Sequence, residues 1–471
     1  MLRTMVLEYF LKYSSDEFIL QLSLFLNACY SHGHFPIDLL QGVIKPRLKN
    51  PGGNCTDSTN YRPIMQSSNI LKIAEMIILN VLNDKIRFNP RQFGYVAGVS
   101  TSDATLILKE SIYKHINKNE DVYGLFIDLS KTFEKVNHFK LANILLTRNI
   151  PPDLVWIVLK FLRNQTAILK WNNSYSDSKY LNKGCRQGGI LSPFFFKLYI
   201  DIILEEIGSL DCGIKLNFCT INILAYADDL VLLSKNLEGL DRMYAILKEK
   251  LESLEQKINT KKSKIMRFSK NKKDLPKHQK IGMDYFEYCS SYKYLGHLIT
   301  YNLNDNLDVE KRVKDFYSKF FSVKRNFSNL SEGILLYLFK SFCTPDYGLN
   351  LWRVDKIDGS REFRAFKVAY SNAVKSLYGL SKYSSSTHFI FNASNILILH
   401  HLVNYTQCRF FKKLVNEPKG FLYILPTIRH GIIVDSLCRK MKQLYKVTVF
   451  DNDLDALKAR ILYVQRTEER T

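Results

Sequence analysis

The stretch Ile221-Asn222-Ile223-Leu224-Ala225-Tyr226-Ala227-Asp228-Asp229-Leu230-Val231-Leu232-Leu233 sets an apolar run on each side of an acidic pair. Short runs of Ile, Leu and Val fit strands, and the break between them is brief enough for a tight turn. The spacing therefore predicts a β-hairpin with the acidic pair at its tip. Asp tolerates turn geometry, so an Asp-Asp pair in a hairpin needs no function to explain it. Its meaning depends on what else comes near.

About a hundred residues earlier, Val122-Tyr123-Gly124-Leu125-Phe126-Ile127-Asp128-Leu129 is apolar on both alternating faces, which predicts a buried strand with a carboxylate near its end. Pairing that strand with the hairpin would gather Asp128, Asp228 and Asp229. Carboxylates so close repel one another and take up protons unless a cation neutralises them. Hard divalent cations suit oxygen-only ligands, and Mg²⁺ binds through one or two carboxylates with substrate phosphates completing its shell. Two such ions about 4 Å apart activate an attacking hydroxyl and stabilise the leaving oxygen in phosphoryl transfer. Nucleotidyl transfer fits this design. Taken singly, an Asp at a strand end is more often a satisfied cap, so the triplet gains its weight from other segments.

Those segments carry a resemblance. Tyr226-Ala227-Asp228-Asp229 resembles the Tyr/Phe-x-Asp-Asp signature of reverse transcriptases, and Phe126-Ile127-Asp128-Leu129-Ser130-Lys131-Thr132-Phe133 resembles the Phe-x-Asp-Leu-Ser-Lys-Ala-Phe segment of the non-LTR retrotransposon branch. Asn60-Tyr61-Arg62-Pro63-Ile64, Gln92-Phe93-Gly94-Tyr95 with Ser100-Thr101, and Arg186-Gln187-Gly188-Gly189-Ile190-Leu191-Ser192-Pro193 are similar to further blocks of that family. So are Asn259 through Lys264 and Tyr292-Lys293-Tyr294-Leu295-Gly296. The blocks keep family order from residue 35 to residue 300. A looser likeness to jockey-like, LINE-type animal elements extends over Tyr370-Ser371-Asn372-Ala373 and Leu377-Tyr378-Gly379-Leu380.

The resemblance implies an RNA-directed DNA polymerase that uses two Mg²⁺ ions, an RNA template, a DNA primer and dNTPs. It implies Asp128 and Asp228 as principal metal ligands with Asp229 beside them, and Lys262 as a cation near the pyrophosphate, a candidate general acid. Arg62 would grip the triphosphate with a planar fork suited to phosphate oxygens, and Lys49 is a weaker candidate for the same task. Phe133 would lie under the incoming sugar, where its ring leaves no room for a 2′-hydroxyl; the plain alternative is core packing. Gln187 and Gly188 would line the nucleotide and template pocket, Gly permitting close backbone approach and Gln offering both a donor and an acceptor. Without the surrounding blocks, Gly188-Gly189 is a loop leading into a helix. Tyr226 is placed with the primer and template, and Tyr294, Leu295 and Gly296 would form the turn supporting the primer end.

The implied fold is α+β, a right-hand polymerase with fingers, a palm built on an antiparallel sheet and a helical thumb. Its expected division is a helical lead-in over 1–34, fingers and palm over 35–300, a thumb-like region over 301–350 and a basic helical region over 351–471. Glu134 stands where the family usually has Asp, and Val96 and Ala97 replace its basic residues after Gln-Phe-Gly. No endonuclease precedes the polymerase blocks and no Cys/His knuckle follows them, so a partial or truncated element copy is expected. Two alternatives stay open: a catalytically silent nucleic-acid-binding remnant, and a group II intron-type maturase or RNA-templated RNA polymerase sharing the same palm chemistry.

Composition agrees with a polyanionic partner. Of 471 residues, 67 are Lys or Arg and 45 are Asp or Glu, a net charge of +22 spread along the chain rather than gathered in one amphipathic helix. Hydrophobic residues at 46% exclude a fully disordered chain. Nine cysteines without a Cys-x-x-Cys spacing point to a reducing compartment rather than a disulfide framework. Met1 to Phe10 lacks the order of a signal peptide, and the apolar stretches Pro193 to Leu204 and Ile396 to Val403 are too short to span a bilayer. No membrane association is expected. Nuclear residence follows only from the family's use of chromosomal primers, and oligomeric state is not legible. Helices are expected over Glu17 to Tyr30, Ile70 to Leu82, Thr101 to Asn117 and Leu240 to Ile258, with seven Lys and Arg following between Lys261 and Lys273.

Overall fold

The computed structural model describes residues 12–50, 52–130, 132–216, 219–344, 348–385, 387–416, 432–445 and 454–467. Met1 to Phe10, read above for a leader, and Lys131 of the Asp128 block lie outside them. The chain divides into two compact units. One comprises Met1–Tyr95, Asp128–Ser209 and Ala245–Asn259; the other comprises Val96–Ile127, Leu210–Tyr244 and Thr260–Thr471.

In the second unit a six-stranded sheet runs in the order His278–Ile281, Asp284–Tyr288, Lys264–Phe268, Val122–Asp128, Asp229–Ser234, Ile223–Tyr226. The Val122–Asp128 strand is central, and Val122, Leu125, Phe126 and Ile127 are all buried, as a strand apolar on both faces requires. Gly124 is needed there, because a Cβ would come within 2.8 Å of the Phe268 ring on the next strand. Asp229–Ser234 pairs antiparallel with Ile223–Tyr226, Lys264–Phe268 with Val122–Asp128, and His278–Ile281 with Asp284–Tyr288, while Lys264–Phe268 and Asp284–Tyr288 run parallel. That exception to the wholly antiparallel expectation arises because the chain reverses twice between them, first into the edge strand His278–Ile281 and then out of it.

A separate hairpin, Ser291–Tyr294 with His297–Thr300, lies against this sheet through Tyr292, whose ring stacks on Phe126 at 4.4 Å. A buried charge cluster holds the hairpin to the helices Thr101–Ile116 and Asn306–Phe327. Lys109 Nζ meets Asp305 at 2.6 Å and donates to Leu351 O, while Asp308 accepts from Leu298 N and Trp352 Nε1 and lies 3.2 Å from His297 Nδ1. The helix Thr101–Ile116 begins at the residue expected, with Ser100 N–H donating to the Asp103 carboxylate in a capping box. Beyond residue 350 the larger described elements are helices, including Arg361–Leu377, Leu399–Asn416 and Leu454–Thr467.

The first unit holds a five-stranded sheet in which Gln41–Leu48 pairs antiparallel with Tyr61–Gln66 and parallel with Thr166–Trp171. Helices Asp16–His32, Asn69–Lys85 and Ser192–Gly208 belong to the same unit. Ser15 and Ser68 cap the first two by accepting from Phe18 N and Leu71 N, and Gly33, at φ 57°, ends the first. The charged helix ends at Ser253, five residues short of the sequence expectation. Glu255 takes the left-handed conformation at φ 58°. Its carboxylate, bound by Lys183, Lys140 and Asn137, is lowered to about 2 by those bonds in that order. The following residues run extended, with Ile258 bridging Leu129. The protein is therefore α+β, and among the described residues no helix is long and apolar enough to cross a membrane.

Candidate active site

The hairpin forms as the sequence predicts, with one shift. Tyr226 faces Asp229 as the closing pair, so the two turn residues are Ala227 and Asp228, and Asp229 is the first residue of the returning strand. Only one carboxylate of the pair occupies the tip. Asp228 is half-buried and Asp229 exposed. Ala227 has φ 57°, a conformation that two-residue hairpin turns usually assign to Gly. In a residue with a Cβ it costs roughly 1–2 kcal/mol. Asp128 is the last residue of the neighbouring Val122–Asp128 strand and is also half-buried; its carbonyl accepts from Asn259 N at 2.8 Å.

Tyr294 and His297 close a second two-residue turn made by Leu295 and Gly296, at φ 46° and 85°. Arg312 Nη2 and Lys311 Nζ donate to the Gly296 carbonyl at 2.9 and 3.2 Å. Tyr294 itself is 2% exposed, and its hydroxyl has no hydrogen-bond partner among the described residues. Burial, and after it the charge of Asp229, push the Tyr294 phenol far above its ordinary range. Tyr226 is half-buried beside the hairpin tip. Lys262 is exposed in the turn leading into Lys264–Phe268. Of the seven cations nearby, Lys264 pairs with Glu287, and Arg267 and Lys273 share Asp121, so that run is less solvated than its charge suggested.

In the first unit Phe133, Gln187 and Gly188 among the nucleotide-site candidates meet at one loop. Gln187 O accepts from Met65 N at 2.8 Å, three residues along the strand from Arg62. Phe133 O accepts from Cys185 N at 2.7 Å, and Gln187 Nε2 donates to Glu134 at 3.4 Å. Gly188, at φ 117°, could carry no side chain, since a Cβ would meet Met65 O at 2.7 Å. The Phe133 ring is half-buried between Phe196, 4.8 Å away, and Tyr95, edge-on at 6.4 Å. Tyr95 is itself held at φ 57° and half exposed. Arg62 is exposed on its strand, opposite Arg47. Lys49 is turned to a local task, donating from Nζ to Thr59 O at 2.8 Å across its own loop.

Sequence reasoning missed Glu75. It is 2% exposed on the helix Asn69–Lys85, and its Oε2 accepts from Ile190 N at 2.6 Å. Burial raises its pKa against the opposing pull of that bond and of Arg186. Glu75 sits four residues after Leu71 and three before Ile78, on the apolar stripe of its helix, a spacing that marks burial but names no partner.

The acidic residues supply the oxygen donors a hard divalent ion takes, with no His or Cys among them. Among the described residues no three His, Cys, Asp or Glu side chains are gathered at metal-holding spacing. The donor chemistry fits such an ion.

The description "Reverse transcriptase (RNA-dependent DNA polymerase)" belongs to the family model that matches residues 48–299. The chain is a member of that family. Its relatives include the Retrovirus-related Pol polyprotein from type-1 retrotransposable element R2 of Nasonia vitripennis, 26% identical over 311 residues, 64% of this chain and 29% of the relative. The RNA-directed DNA polymerase from mobile element jockey of Drosophila melanogaster is 24% identical over 361 residues, 72% of this chain and 38% of the relative. The chain thus spans well under half the length of these two relatives. Among solved structures, apo telomerase from Candida Tropicalis aligns over 96% of this chain and 74% of its own, at 13% identity and a TM-score of 0.44.

Proposed function

We propose that this chain is the polymerase portion of a non-LTR retrotransposon protein, an RNA-directed DNA polymerase that adds deoxynucleotides from dNTPs to the 3′-hydroxyl of a DNA primer on an RNA template. The observation that carries the proposal is the family match over residues 48–299, which contains every candidate site residue from Lys49 to Gly296. The sheet order adds support, since the Val122–Asp128 and Asp229–Ser234 strands are neighbours.

In this reading Asp128, Asp228 and Asp229 would hold two Mg²⁺ ions, which when bound would activate the attacking hydroxyl and stabilise the leaving oxygen. Arg62 binds phosphate oxygens through its guanidinium fork, with Lys49 nearby in sequence. Phe133 bounds the sugar, Gln187 and Gly188 bound the base and template, and Lys262 donates a proton as pyrophosphate leaves. Tyr226 and the turn Tyr294-Leu295-Gly296 attend the primer end. The excess of cations attracts both template and primer, and nuclear residence follows from priming on chromosomal DNA.

Primer extension on an RNA template tests it. Purified protein with Mg²⁺ extends the primer, chelation stops extension, and Asp228→Asn abolishes it while the variant still binds template–primer. Folded wild-type protein that binds nucleic acid with strong salt dependence, yet incorporates no more nucleotide than Asp228→Asn, would make the chain a silent binding remnant.

A further inference from the structure

We propose that Glu75 is a positioning residue for nucleotide binding, fixing the Gln187-Gly188 loop from behind; this rests on the polymerase reading above. Loop 184–191 is pinned at several points within the first unit. Gly184 N donates to Val136 O, Cys185 N to Phe133 O, and Met65 N to Gln187 O. The close approach of Gly188 to Met65 O leaves no slack between the Arg62 strand and the Phe133 segment. The far end of the loop is fixed differently, by a carboxylate 115 residues away on another helix: Glu75 Oε2 takes the Ile190 N–H at 2.6 Å.

Two physical features separate this from ordinary capping. The N–H groups that open helix Ser192–Gly208 need acceptors, and a local Ser or Asp side chain normally provides one. Here Leu191 in the cap position offers no side-chain acceptor, and the Ile190 N–H just before it is met by a buried carboxylate from a different helix. Burying a carboxylate costs several kcal/mol before compensation. Arg186 supplies part of the compensation: it is 3% exposed, lies on the loop itself, donates to Leu40 O and interacts electrostatically with Glu75. Its Nε and Nη1 have no hydrogen-bond partner among the described residues, so Glu75 is the charge that makes its burial tolerable. Glu75 and Arg186 therefore bracket Gln187 and Gly188, one fixing the residue after the glycines and the other the residue before them. Removing Glu75 leaves the loop's first half bonded and releases its Ile190 end.

Steady-state kinetics of extension by Glu75→Ala, Glu75→Asp and Glu75→Gln, with template–primer affinity and hydrogen exchange measured on the same proteins, test this. Glu75→Ala and Glu75→Asp, which remove or shorten the acceptor, raise the dNTP KM on the order of tenfold to a hundredfold, the scale of a displacement near 1 Å. Template–primer Kd stays unchanged, and amide exchange accelerates within 185–191. Glu75→Gln retains an acceptor oxygen and recovers most of the wild-type KM. An unchanged dNTP KM in folded Glu75→Asp overturns the proposal, as does a loss spread equally over KM and template–primer affinity. If Glu75→Ala does not fold, the Asp and Gln variants decide alone. Failure of the polymerase reading is distinguishable: wild type then does not extend, and exchange at 185–191 still reports whether Glu75 holds the loop.

Discussion

Arg47 and Arg62 stand directly opposite each other across the antiparallel strands Gln41–Leu48 and Tyr61–Gln66, both exposed. Like charges in that relation repel, at about 0.2–1 kcal/mol in a sheet. If Arg62 binds the triphosphate as proposed, a triphosphate reaching both guanidinium groups would remove the repulsion and gain charge-assisted bonds. Arg62→Gln is therefore expected to raise the melting temperature slightly while raising the dNTP KM roughly tenfold or more, the loss of a bond worth about 1.5–3 kcal/mol. Calorimetry beside extension kinetics checks both signs; a variant less stable than wild type with unchanged KM contradicts the account.

Phe133 is held on one side by Phe196 and on the other by the edge of Tyr95. Phe133→Ala is expected to admit ribonucleotides, lowering discrimination on the order of 10–200-fold, the range one steric contact commands. Competition between dNTP and rNTP on one template measures it, and unaltered sugar selectivity removes the gate assignment.

Asp305 and Asp308 are buried. Burial alone would raise their pKa values, yet Lys109 and His297 for Asp305, and His297, Arg312 and the Leu298 N–H for Asp308, hold both below the ordinary 3.8. Groups depressed in this way contribute stability that is present above pH 3.8 and is lost as pH falls below it. Acid unfolding monitored from pH 6 downward should therefore steepen below that value in wild type and less so in Asp308→Asn. At neutral pH, Asp305→Ala alone is expected to cost about 3–5 kcal/mol, and Lys109→Met with Asp305→Leu less than that. Denaturant unfolding of both variants separates the two.

Tyr294→Phe removes a hydroxyl that is buried without a partner among the described residues. Stability is expected to stay level or rise by up to about 1 kcal/mol, with the ring packing on Phe126 intact at 5.7 Å. A loss of several kcal/mol would show that the hydroxyl makes a bond in solution.

The strand around Asp128, the hairpin around Asp228 and the helix after Ser100 were legible because apolar periodicity and cap residues state them locally. The end of the charged helix was not, because Glu255 rather than Gly adopts the left-handed cap, and three partners distant in sequence hold it there. Glu75 was hidden for a related reason: its partners are a backbone N–H 115 residues away and an Arg inside a motif that draws attention to its neighbours. The parallel strand pair escaped because direction is set by how many reversals intervene, and periodicity carries no sign of that. Lys49, the weaker phosphate candidate, also donates from its ammonium group to Thr59 O across its own loop, a local bond that residue type does not announce.

The cluster joining Lys109, Asp305, His297, Asp308 and Trp352 has a bearing on how such genes decay. A genomic copy could retain its Asp-Asp signature and still fall silent through one codon at 109 or 305, because either loss leaves the other charge buried without its partner and undermines the fold. Surveys that score copies as competent from the signature motif alone would count such casualties among the living.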